Sequence, residues 1–145
     1  MTGWLEVLVL TGSGLTAGVL FAVAISVVPM FLALPPADYV AVHRLVGRHF
    51  DRVMPPVVLL SALGGLVLAG RTGELAHLAA ALCLAGVSAV SQLGNVPINR
   101  RVKSLAGQQL PVRWVDPRRR WRGWHLLRTG LAVLALLLNA YAVAH

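Results

Sequence analysis

Four long stretches of this chain contain no aspartate, glutamate, lysine or arginine: residues 7–37, 53–70, 75–99 and 129–145. An apolar helix of about twenty residues is as long as a bilayer's hydrocarbon core is thick. The sequence therefore predicts an all-α fold, an integral membrane four-helix bundle. It forms a single domain over residues 1–145, with spans at about 5–34, 54–70, 75–94 and 125–144. Composition agrees. Charged residues make up 12 % of the chain, against about 25 % in a soluble domain. Hydrophobic residues make up 57 %, and the mean hydropathy is +0.74. The first residues, Met1 to Glu6, carry no positive region of the kind that precedes a cleaved leader, so the first stretch is expected to stay as a span.

The segments between these stretches set the organisation. Pro35-Pro36 is expected to end the first span, because proline disfavours helix in the residue before it and cannot donate a backbone hydrogen bond. Pro29 is expected to kink it. Gly14 and Gly18 have the spacing that lets two helices approach closely, inside the bundle or as a homo-oligomer contact. From Asp38 to Val53, apolar residues alternate with Arg44, Arg48 and Arg52 at helical spacing. This predicts an amphipathic helical segment before span 2, at the interface or continuous with the span, with Asp38 as its N-cap. Pro55-Pro56 marks a kink or a helix start, Gly64-Gly65 another close approach, and Arg71 to Glu74 a tight turn. Asp116-Pro117 reads as an N-cap followed by proline at the first helical position. The helix so begun runs to about Ala144, long enough to cross the bilayer and protrude.

Charge fixes the expected orientation. Of the 13 lysines and arginines, all but Arg71 fall on the side of the first and third connections. The positive-inside rule then makes those connections cytoplasmic and puts both chain ends outside, in a plasma (inner) membrane. The net charge of +8 serves topology and lipid headgroups on this reading, with no nucleic-acid partner. The expected partners are the bilayer and a small lipophilic substrate. Cys83 is the only cysteine and can form no internal disulfide. No zinc spacing, phosphate loop, or flavin, haem or nicotinamide motif is present.

Polar groups gather toward the cytoplasmic end. Asn95 and Asn99 lie four apart around Pro97 and share a face if the turn is helical, where they could hold a carbonyl or phenol or simply cap the helix. Trp121, His125 and Arg128 share a face of the last helix, as do Trp124 and Arg128. An interfacial aromatic belt explains the tryptophans, and Arg128 could snorkel outward. His43 and His49 lie on the amphipathic segment, where His43, Gly47, Asp51 and Met54 form a stripe. Intramembrane polar groups are functional candidates by default. His77 and His145 fall at the far end and are left out of the site.

Three patches resemble the anthrone oxygenase-like family of small four-span membrane proteins. They are Leu34-Pro35-Pro36 with Tyr39, Val40, His43, Gly47 and Met54-Pro55; Asn95-Val96-Pro97-Ile98-Asn99; and Trp121, Trp124, His125 and Arg128. The resemblance implies a four-span fold and oxidation of an aromatic polyketide anthrone to an anthraquinone by O₂, without flavin or haem. It carries over His43, Asn95, Asn99, His125 and Arg128 as catalytic residues. Trp121, Trp124 and Met54 are expected against the substrate.

The leading expectation is a membrane-embedded oxygenase for a flat, apolar, electron-rich molecule. His43 or His125 would be the base, and Asn95, Asn99 and Arg128 would stabilise the oxyanion. An alternative uses copper or iron held by His43, His49, His125 and Asp51. Another is a non-enzymatic scaffold or transporter-like module. Chemistry requires the polar cluster to converge in a closed pocket, whereas a scaffold leaves it spread around the rim.

Overall fold

A backbone inside hydrocarbon must satisfy its own hydrogen bonds, and the chain does so with helices. The computed structural model describes residues 3–145. Its helices are α1 (Gly3–Ala33), α2 (Pro36–Thr72), α3 (Leu75–Ser104) and α4 (Arg118–Ala144), each long and apolar enough to cross a membrane. No strand occurs among the described residues. Each helix packs on two neighbours, in the cyclic order α1, α2, α3, α4, so α1 and α3 face each other across the bundle. Small residues bring the helices together. Ala17, Ala62, Ala80, Ala132 and Ala135 surround Leu20, Val58 and Leu84 in the central core. A Cβ on Gly65 would stand 3.2 Å from Ala81 of α3, and one on Gly12 would overlap the Ser61 hydroxyl of α2. Gly14 lies beside Leu136 of α4, while Gly18 is exposed with open space around it. Internal packing thus uses the first glycine of that pair.

Several helix ends differ from the sequence expectation. The amphipathic segment is continuous with the second span, one of the two arrangements expected, and α2 runs unbroken through Pro55 and Pro56 with no new start there. It also starts before Asp38. Pro36 is pre-set for the first helical position, and Pro35 precedes it with extended backbone. Asp38 is therefore a first-turn acid, not the N-cap. Likewise α4 begins at Arg118 rather than Pro117, which is its capping residue. Asp116 still accepts from the Arg118 backbone N–H at 2.9 Å. The third span continues past Gly94 to Ser104.

Near Pro29, where a kink is expected, the helix is irregular. Residues Val23–Val27 of α1 make one π-helical turn, closed by the Val28 N–H on the Val23 carbonyl. α3 does the same at Ser91–Asn95, closed by Val96 on Ser91. Both turns lie just before a Val-Pro pair, Val28-Pro29 and Val96-Pro97. Proline cannot donate to the carbonyl four residues back and its ring crowds that group. Widening the turn by one residue relieves the crowding.

Arginines mark one end of the bundle, called here the basic end. There the 105–117 connection folds back over the helices. Leu105, Leu110 and Trp114 pack on a cluster of Phe31, Tyr39, Val102 and Trp121. Arg118 ties this end to α1, donating to the carbonyls of Phe31 at 2.7 Å and Leu34 at 2.6 Å. These belong to the last turn of α1 and its flank, whose carbonyls lack intrahelical partners. Asp116 clamps the same guanidinium through Nε at 2.8 Å, and that pairing holds its carboxyl below the usual carboxylate range. At the opposite end, three helices share a buried polar chain. His77 Nδ1 meets Asn139 Oδ1 at 3.0 Å, and Asn139 Nδ2 donates to Ser13 Oγ at 2.8 Å.

Candidate functional site

A cavity of about 270 Å³ opens inside the bundle near the basic end. Its walls are mostly apolar, with Val23, Val27 and Phe31 from α1, Phe50, Met54 and Val58 from α2, and Val87 and Val96 from α3. A few polar side chains interrupt them: His43 and Asp51 of α2, Ser88, Ser91, Gln92 and Asn99 of α3, and Trp121 and Arg128 of α4. Mostly apolar walls with a few convergent polar groups are the usual form of a small-molecule site.

Asn99 organises one side. Trp121 Nε1 donates to Asn99 Oδ1 at 2.8 Å, and His43 Nε2 lies 3.0 Å from the same oxygen. An indole N–H can only donate, so the atom between them is the amide oxygen. His43 must then carry its proton on Nε2. Its Nδ1 keeps the lone pair and is buried with no hydrogen-bond partner. The ring is fixed on its other faces by Phe31, stacked at 5.0 Å, and by the edges of Tyr39 and Trp121 at 5.3 and 5.6 Å. The residue is 3 % exposed.

His125 is held differently. Its ring stacks on Trp121 at 5.2 Å with an interplanar angle of 9°. Nε2 donates to the Leu20 carbonyl of α1 at 3.0 Å, which leaves Nδ1 as the acceptor. Arg128 fills that position with Nε at 3.2 Å and Nη2 at 3.0 Å. Both ring nitrogens are engaged, and His125 does not line the cavity. Arg128 does line it, and its Nη1 donates to Ser91 Oγ at 3.3 Å. The guanidinium is thus turned inward by His125 and Ser91. No carboxylate pairs with it among the described residues, whose two salt bridges are Lys103–Asp51 and Arg118–Asp116.

The remaining candidates sort by position. Asn95 is buried, and its Nδ2 donates to the Trp121 carbonyl at 3.2 Å. It holds the α4 backbone and stays outside the cavity lining, as does Trp124. The Trp124 ring covers Gly94 in the π turn, where any Cβ would collide with it. Met54 lies on the cavity wall. His49 is exposed on the outer face of α2. Asp51 reaches the cavity rim but is paired with Lys103. His43, His49, His125 and Asp51, considered for copper or iron, do not come together as one cluster. Trp121 stands between His43 and His125, and no group of three or more His, Cys, Asp or Glu side chains converges among the described residues. Sequence reasoning missed Ser91, Phe31 and the Leu20 carbonyl. An apolar residue and a backbone oxygen carry no motif, and Ser91 had no signal beyond its place near the end of the span.

A family model described as anthrone oxygenase matches residues 43–138, from the first residue that lines the polar side of the cavity to the last turns of α4. Neither the curated proteins nor the solved structures contain a match.

Proposed function

We propose that this chain, which belongs to the anthrone oxygenase family, is a membrane-embedded oxygenase acting with O₂ on a flat, apolar, anthrone- or phenol-like substrate. The observation that carries the reading is the buried imidazole of His43. It lines an apolar cavity, its tautomer is set by Asn99, and its Nδ1 lone pair has no partner in the protein. Such a nitrogen is a ready proton acceptor for a bound ligand.

The chemistry follows from the groups present. His43 Nδ1 takes a proton from the activated CH₂ of the substrate, leaving its electron pair in an enolate. Arg128, which has no carboxylate partner, stabilises the enolate oxygen. O₂ accepts electrons from the enolate and bonds to the carbon, and the proton held on His43 completes a hydroperoxide. Loss of the second C–H proton breaks the O–O bond and gives a ketone and water. Overall CH₂ and O₂ become C=O and H₂O. His125 and Ser91 position Arg128, and Asn95 and Asn99 position Trp121 and His43. No flavin, haem or nicotinamide is required. The convergence of the polar groups on one cavity favours this reading over a scaffold, which needs no such pocket. On the positive-inside rule the basic end is cytoplasmic, in a plasma or inner membrane, and the site lies toward the cytoplasmic leaflet.

Anthrone turnover by protein in lipid nanodiscs, followed as oxygen uptake and quinone absorbance, tests the proposal. His43→Ala is expected to lower kcat by about 10²–10⁴-fold, the usual contribution of a general base, with helicity unchanged. Wild-type kcat in the variant would remove His43 from the mechanism.

A further inference from the structure

Cavity-lining residues that also reach the molecular surface all lie on two helices. Val46, Asp51, Pro55 and Leu59 are exposed on α2 and Gln92 on α3, whereas the lining residues of α1 and α4 are buried or half-buried. The cavity therefore opens sideways between α2 and α3. The π turn of α3 at this height packs mainly on α4 and contributes little to the contact with α2. Above and below it, α2 and α3 are in contact. Toward the basic end the connection and an ion pair lie over the bundle. Leu105, Leu110 and Trp114 cover it, and Lys103 crosses over Gly47 to pair with Asp51 at the end of the seam. Leu59 is 52 % exposed and stands about 10 Å along the helix from Arg52, inside the apolar part of α2. Gln92 of α3 lines the same cavity and is exposed, within a run free of charged residues from 75 to 99, where an unpaired polar group in hydrocarbon is costly.

We infer that Leu59 and Gln92 form the two lips of a lateral portal through which a flat lipophilic molecule passes between the membrane interior and the cavity. The inference rests on the proposed reading of the cavity as a substrate site. The slot selects for molecules that are thin and dissolved in lipid. Gln92 supplies a hydrogen bond to a carbonyl or phenol oxygen as it passes. Water-soluble molecules arriving at the basic end meet the packed connection and the Asp51–Lys103 pair.

The test uses the full chain in phosphatidylcholine nanodiscs with anthraquinone as the probe. Stopped-flow quenching of tryptophan fluorescence reads binding, with Trp121→Phe identifying the signal from the cavity. The double substitution Leu59→Phe, Gln92→Phe narrows the slot from both lips on lipid-facing positions that the core does not use. It is expected to slow association and dissociation together by tenfold or more. Leu137→Phe, an exposed position on α4, is expected to change neither rate. Wild-type rates in the double variant, with quenching intact, would overturn the portal and leave the site standing. Faster exchange in Lys103→Met with wild-type rates in the double variant would place the route at the basic end and overturn it as well. No quenching in the wild-type protein would overturn the reading of the cavity and the portal together.

Discussion

Each polar side chain around the cavity is defined by what occupies its hydrogen-bonding positions. Asn99 Oδ1 takes two donors, so neither the His43 ring nor the Trp121 ring can turn without losing one. Replacing Asn99 with leucine leaves both N–H groups without their acceptor, each at a cost of about 1–3 kcal/mol. A fall in turnover exceeding the fall in thermal stability is expected, checked by kcat beside Tm in detergent. The two histidines look alike in sequence, each four residues after an aromatic, Tyr39 before His43 and Trp121 before His125. Their surroundings separate them. His43 keeps a lone pair free, while His125 gives both nitrogens to Leu20 and Arg128. His125→Ala should therefore release Arg128. The expected result is a raised KM with a lowered kcat, and partial rescue by His125→Gln, whose amide oxygen can again accept from the guanidinium. A wild-type KM in His125→Ala would separate Arg128 from His125.

Among the elements, the two π turns decide which residues face inward. One extra residue in a turn rotates everything beyond it by roughly 100° relative to a regular helix. In α3 this brings Asn95 to the Trp121 backbone and Asn99 to its indole, while Ser91 opens the turn and meets Arg128. Gly94 lets the Trp124 ring lie directly on that turn. Gly94→Ala is expected to destabilise the protein by about 1–3 kcal/mol, the usual cost of overpacking, read as a lower Tm. The junction of α1 with α4 depends on Asp116 and Arg118. The folded state lowers the Asp116 pKa from an ordinary value near 3.8. Its contribution is therefore full above that value and is lost as the pH falls through the folded pKa. The Tm difference between wild type and Asp116→Asn should be present at pH 6 and shrink below pH 4 (about where free carboxylates titrate). A difference that persisted at low pH would assign the effect to packing.

Over the whole molecule, polar chemistry is divided between two ends. The basic end holds the cavity. The opposite end holds the buried chain of His77, Asn139 and Ser13, which joins α3, α4 and α1. Asn139→Leu should cost about 1–3 kcal/mol by leaving buried partners unsatisfied, with kcat unchanged, since the site lies elsewhere. The sequence by itself determined the number of helices, their membrane-spanning character and the collection of polar candidates toward one end, because charge-free runs and charge bias are local properties of a linear chain. It also showed the family through the Asn-x-Pro-x-Asn and Trp/His/Arg patches. Only the tertiary structure decided which histidine keeps a free nitrogen, that Arg128 turns inward, that Asp51 belongs to Lys103, and that the exposed lining residues of the cavity lie on α2 and α3. Those outcomes depend on contacts between residues 26 to 105 positions apart and on one-residue shifts in helix phase, and a regular 3.6-residue periodicity carries neither.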